Sequence, residues 1–163
     1  MIREPRPKLA IGATYDYNDG AVRSRGQLGT WLNESRNLYT WFVDAVYKHN
    51  GFSATAEYAD RQTEGNSVVE RDVNGEVTQS FYTGKALTGQ LSYIFKNNFE
   101  FAGRGTMVNQ DPDTERLDIR QYTIGASKYI VGHSLKAQTD LTFTDYLGGI
   151  DVWSFRFQVE MAF

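Results

Sequence analysis

Asp151–Phe163, DVWSFRFQVEMAF, decides the fold. Trp153, Phe155, Phe157, Val159, Met161 and Phe163 fall on one side of an extended strand, while Ser154, Arg156, Gln158, Glu160 and Ala162 fall on the other. Side chains alternate with period two in a strand, so this segment carries large apolar groups on one face and charges on the opposite one. A soluble sandwich would turn the apolar face to a core, whereas a membrane barrel would turn it to lipid and the polar face to a lumen.

Working towards the N-terminus, the same alternation returns about every twenty residues. LKAQTDLTFTDY places Leu135, Ala137, Leu141 and Phe143 opposite Lys136, Gln138 and Asp140. RQYTIGASKYI places Tyr122, Ile124 and Ala126 opposite Gln121, Thr123 and Ser127. FEFAGRGTM sets Phe99, Phe101 and Met107 against Glu100, Arg104 and Thr106, and KALTGQLSYIF sets Leu87, Leu91, Tyr93 and Phe95 against Thr88, Gln90 and Ser92. FSATAEYAD, LYTWFVDAVYKH and KLAIGATYDY complete a set of eight strands. Each is close to the roughly 9–11 residues that a tilted strand needs to cross a bilayer.

The connections alternate in length. Asn50-Gly51, a favoured two-residue hairpin turn, Lys96-Asn97-Asn98 and Val131-Gly132-His133-Ser134 are short. Those at about 18–37, 61–79, 109–117 and 146–150 are longer, and Asn74-Gly75 marks a small hairpin inside the second. Short periplasmic turns alternating with long outer loops are the habit of outer-membrane barrels. An even strand count puts both ends on the periplasmic side, with residues 1–7 as an N-terminal tail. Aromatics gather at strand ends, among them Tyr15, Tyr17, Tyr39, Phe52, Tyr58, Phe95 and Phe99, where interfacial girdles sit.

Composition agrees with this reading. The 163 residues make one domain, with Gly at 15, Pro at 3, no Cys and aromatics at 14%. No apolar run approaches the roughly 18 residues of a membrane helix. A mean hydropathy of −0.50 is no objection, because alternating strands hide their apolar residues at every second position. The net charge of −3, with no basic stripe, argues against a nucleic-acid partner. The start, MIREPRPKLAIG, lacks the apolar stretch of a signal peptide, so the export signal of a barrel is expected to lie outside this sequence.

The segments YDYNDGAVRSRGQLG, WFVDAVYKHNGFSATAEYA, GQLSYIFKNNFEFAGR and QYTIGASKYIVGHSLKAQTDL resemble the C-terminal half of the phosphate-selective porin O and P family, over about Lys8 to Phe163. The resemblance implies half of a sixteen-stranded, usually trimeric barrel that passes small anions such as phosphate by diffusion, with an N-terminal half elsewhere. The terminal FRFQVEMAF resembles the signal read by the barrel-assembly machinery, which implies that role for Phe155, Phe157, Val159, Met161 and Phe163.

With this topology the expected fold is an antiparallel transmembrane β-barrel in the outer membrane of a Gram-negative bacterium. Its lumen would display Arg104, Lys136, Arg156 and Lys48 together with Asp44, Glu57, Glu100, Asp140 and Glu160. Arg23 and Arg25, sharing one side of the 18–37 segment, are the candidate anion contacts, since guanidinium N–H groups replace part of an anion's hydration shell. They read equally well, with Arg36, as solvated loop residues. Because acidic and basic positions nearly balance, the expected solutes are small and hydrophilic, neutral or anionic, with at most a mild anion preference. Ion pairing across a closed eight-stranded barrel, structural or adhesive and without a channel, is the alternative. A soluble ligand-binding barrel is a third. No enzymatic constellation, cofactor or metal is expected. His49 and His133 sit in turns without a partner at a telling spacing. Asp111, Asp113 and Glu115 read as a solvated acidic turn before a Ca²⁺ site, and Asp16, Asn18, Asp19 and Gly20 as a turn.

Overall fold

The computed structural model describes residues 3–131 and 134–162. The fold is all-β, and among the described residues there are ten strands: β1 (Lys8–Arg23), β2 (Trp31–His49), β3 (Phe52–Thr63), β4 (Val68–Arg71), β5 (Val77–Ser80), β6 (Gly84–Ile94), β7 (Phe99–Gln110), β8 (Ile119–Val131), β9 (Leu135–Tyr146) and β10 (Val152–Met161). Eight form one antiparallel sheet in the order β1-β2-β3-β6-β7-β8-β9-β10, while β4 and β5 make a separate two-stranded hairpin. The sheet is open: β1 and β10 are its edges and do not pair with each other.

Local chemistry explains the ladder. The prolines are Pro5, Pro7 and Pro112, all outside the strands, so every ladder position keeps its N–H. Asn50 and Gly51 adopt φ of 50° and 93°, the left-handed pair of a two-residue hairpin turn between β2 and β3. At the same end the tail folds back along the sheet. Arg3 donates to the carbonyls of Ile94 (3.0 Å) and Asn50 (2.6 Å), so residues 3–7 run beneath β2, β3 and β6, away from the free edge of β1.

The outer loops differ from the expected boundaries. Pairing of β1 with β2 continues past Asn18 to Arg23 opposite Trp31, with register shifts on either side of Ala21. Gly20 (φ 61°) supplies the irregular backbone there, and its N–H donates to the Asn37 side chain at 2.8 Å. Only residues 24–30 remain as a turn, so the expected loop at 18–37 is largely sheet. Likewise β3 runs to Thr63 and β7 to Gln110, leaving the β4–β5 hairpin and a single 3-10 turn at Pro112–Thr114 as the other large connections.

A small core gathers at this end, where Ala21, Leu32, Leu38 and Phe81 are buried and Val69 packs against them. Phe81 is the most enclosed, and the neighbouring Tyr82 N–H donates to Ser24 at 2.7 Å. Leu38 shares the polar face of β2 with Thr40, and both are buried, so the segment carrying Phe81 lies on that side. Asp111 draws the loops together, accepting from Ser67 Oγ and from Thr83 Oγ1 (3.1 Å).

Candidate functional site

Two surfaces of the sheet carry the chemistry. On one, apolar side chains face outward with nothing packed on them: Leu91 is 59% exposed, Ile124 66% and Phe155 72%. In β6 the apolar residues Leu87, Leu91 and Tyr93 are the exposed ones, whereas Thr88, Gln90 and Ser92 are half-buried or buried. That is the reverse of a soluble half-buried sheet, where polar side chains face water. The polar side is therefore the more covered side.

The apolar surface is a belt with defined margins. Its outermost members are Tyr17, Tyr39, Tyr58, Leu87, Met107, Tyr122, Phe143 and Trp153, one per strand of the sheet. The next residue outward on the same face is Asp19, Asn37, Asp60, Lys85, Asn109, Arg120, Asp145 or Asp151. Lys85 and Asp60 lie 3.8 Å apart along this rim, and Arg120 stands opposite Asp145. At the other margin Lys128 donates to the Asn97 carbonyl (2.7 Å) while its ammonium lies 4.4 Å from the Phe99 ring centroid, which takes its charge out of the belt.

The belt slants across the strands. Followed through the register, Trp153 on β10 is level with Phe143, Tyr122, Gly105, Gly89, Ala56, Ala45 and finally Ile11 on β1. The margin on β1 is Tyr17, six residues beyond Ile11. The lower margin repeats the offset, since Leu9 is level with Phe155, six residues short of Met161. Six residues at about 3.4 Å, over seven strand spacings of about 4.8 Å, set the strands about 31° from the belt's normal. From Leu9 to Tyr17 the belt then measures about 27 Å along the strand and about 23 Å in height.

The polar side holds the candidate lumen residues. Arg156 Nε donates to Asp140 (2.9 Å), Lys136 pairs with Glu160 (3.1 Å), and the Tyr129 hydroxyl donates to Glu100 (2.7 Å). Arg104 lies beside Gln90, Asp140 and Arg156 around a shallow recess of about 170 Å³. Asp44 and Glu57 face one another in register on β2 and β3, with the Asp44 carboxylate over the bare backbone of Gly12. Between the charges run hydroxyl pairs, Thr88 with Thr106 (2.6 Å) and Thr123 with Thr142 (2.8 Å). Phe155, Phe157, Val159 and Met161 lie on the apolar face of β10; Phe163 and His133 fall outside the described residues.

The loop arginines are placed by aromatic rings. Arg23 stacks over Trp31 (4.1 Å), while Arg25 (4.8 Å) and Arg116 (3.6 Å) both lie against Tyr82. The Arg25 guanidinium, opposed by burial and assisted by Arg116, holds the Tyr82 hydroxyl below the usual phenol range. Arg36 instead donates to the Asn66 carbonyl (2.6 Å) and pairs with Glu34 (2.8 Å). In the acidic turn, burial alone would raise the Asp111 carboxyl, but hydrogen bonds from Ser67, the Asp113 amide and Thr83 hold it below the usual carboxylate range. Glu115 is lowered chiefly by its contact with Arg71.

Sequence reasoning passed over Arg61, Arg116 and Tyr82. Arg61 sits on the polar face of β3, with Nε donating to Thr40 Oγ1 at 3.0 Å. Parity with Glu57 would have found it had the strand been extended past Asp60. Arg116 and Tyr82 meet only through loop packing, for which the sequence holds no periodic signal.

By its fold the chain is an all-β protein built on an open, eight-stranded antiparallel meander. Comparison with known protein families, with curated proteins and with solved structures finds no match.

Proposed function

We propose that the chain forms part of the wall of an outer-membrane porin, passing small hydrophilic solutes, neutral or anionic, by diffusion. The observation that carries this reading is the slanted belt. An apolar layer of roughly constant height, crossed by strands inclined at about 31°, is what a bilayer asks of a tilted sheet, and the inclination and height fall close to the roughly 35–45° and 25 Å typical of such barrels. A soluble domain gains nothing from a belt with no partner, since exposing that much contiguous apolar surface to water favours aggregation.

The polar, more covered side suits a water-filled lumen. Two of its basic groups, Lys136 and Arg156, are each matched by a carboxylate, which favours broad solute passage over strict anion selection. On this reading the free edges of β1 and β10 pair with further strands, because unpaired backbone groups are not tolerated in lipid. The resemblance to phosphate-selective porins O and P supplies one candidate, an N-terminal half-barrel completing sixteen strands within a trimer. Assembly would proceed through the barrel-assembly machinery, with the C-terminus on the periplasmic side of a Gram-negative outer membrane.

Reconstitution of the full gene product in planar bilayers tests the reading. Discrete conductance steps that pass chloride and potassium at comparable rates are expected. Membrane insertion without any conductance would overturn the porin reading and favour a closed, channel-free barrel.

A further inference from the structure

At the outer end of the polar face, a cleft of about 430 Å³ is lined by Asp16, Asp19, Arg25, Arg61, Thr40 and Leu38 among others. Asp16, Thr40 and Arg61 are successive partners in one row across β1, β2 and β3, so a carboxylate and a guanidinium flank a buried threonine. Arg61 is steadied by its Nε donation to Thr40, and Arg25 by the Tyr82 ring. Among the described residues, Asp16 forms no ion pair with Arg25 or Arg61, while Asp19, at the rim on the belt side, accepts from the Tyr17 hydroxyl at 3.3 Å.

Further along this polar face Arg156 and Lys136 are each closed onto an acid. Opposite charges that share a cleft but do not neutralise one another leave donors on one side and acceptors on the other. A simple anion would meet the guanidinium groups but be repelled by Asp16; a simple cation meets the converse. A molecule carrying both charges satisfies both sides at once, through charge-assisted hydrogen bonds.

We infer that this cleft is a binding subsite for small zwitterions, α-amino acids or dipeptides, with the ligand carboxylate on Arg25 and Arg61 and its ammonium on Asp16. As a station for permeating solutes the subsite rests on the porin reading; as a binding site it requires only the folded chain. Both can be tested separately. Binding of L-alanyl-L-alanine to the folded chain in detergent micelles is followed by saturation-transfer NMR, beside its N-acetyl analogue, which keeps only the negative charge, and its C-terminal amide, which keeps only the positive one.

The dipeptide is expected to bind about tenfold or more tightly than either analogue. Arg61→Gln should weaken the dipeptide and the N-acetyl analogue, whereas Asp16→Asn should weaken the dipeptide and the amide but spare the N-acetyl analogue. Retained heat-modifiable mobility on gels shows that each variant folds. Equal binding of the dipeptide and the N-acetyl analogue would reduce the cleft to an anion site and overturn the inference, as would the absence of dipeptide binding. Binding without conductance would leave the subsite standing and remove the porin reading; conductance without binding would do the reverse.

Discussion

Replacing Leu91 by Arg separates a lipid-facing belt from a water-facing one by the sign of its effect. Leu91 is 59% exposed, sits in β6 between the neighbours Ala54 and Gly103, and is far from either free edge. Along β6 and the residue that follows it the belt runs from Leu87 to Phe95, so Leu91 is its midpoint, about 12 Å below the outer margin for a strand inclined at about 31°. Arginine at the midplane of a barrel's lipid face costs about 2–4 kcal/mol, falling to about 0–1 kcal/mol near the interface. Leu91→Arg should therefore lower the folding equilibrium constant in vesicles by about 30- to 1000-fold, and Leu87→Arg, next to Lys85 at the rim, by less than about tenfold. Urea titration in phospholipid vesicles, followed by tryptophan fluorescence, measures both. In a soluble sheet, arginine at so exposed a position would change stability by no more than about 0.5 kcal/mol. Equal, small effects at the two positions would refute the belt, as would improved folding of Leu91→Arg in detergent-free buffer.

Other consequences follow from single positions. Gly51→Ala places a side chain at φ 93°, where a Cβ would lie 2.5 Å from the Ile94 carbonyl, so it should cost about 1–3 kcal/mol in the same titration. Gly103→Ala, whose Cβ would meet open space, should be neutral or stabilising by up to about 1 kcal/mol. The depressed pKa of Asp111 means that its stabilisation of the outer loops is complete above the unfolded value of 3.8 and is lost as pH falls through the folded value. Hydrogen exchange of the β4–β5 hairpin should accelerate across that acid window, and Asp111→Asn should show part of the acceleration already at neutral pH. Deleting Phe163 should lower the yield of membrane-assembled protein without altering the conductance of each inserted channel; normal assembly would show that the residue is no signal.

Alternation made the sheet legible in the sequence. Period two in segments such as Trp153–Met161 identifies the strand and both faces, and hairpin geometry then brings Asp140 to Arg156 and Lys136 to Glu160. The extension of β1 and β2 was hidden because Asn18, Asp19 and Gly20 carry turn chemistry, yet the Asn37 side chain captures the Gly20 amide and pairing resumes beyond the irregularity. The outer cleft was hidden for another reason. Tyr82, Arg25 and Arg116 come together beside the burial of Phe81 on Ala21, Leu32 and Leu38, a packing of one connection against β1 and β2 that no local pattern encodes. The slant of the belt was in principle present in the sequence, but it needs the register of all eight strands to become visible.

The central claim, that the exposed apolar face is a lipid-facing belt, is tested most directly by single nitroxide labels at each position from 85 to 94 in β6, with the protein reconstituted in vesicles. The account predicts that collisions with oxygen peak at odd positions and are greatest at Leu91, falling towards Lys85, while even positions such as Gln90 and Ser92 respond to a water-soluble nickel chelate. Odd positions as accessible to the nickel chelate as even ones, or a chain that does not enter vesicles at all, would contradict it.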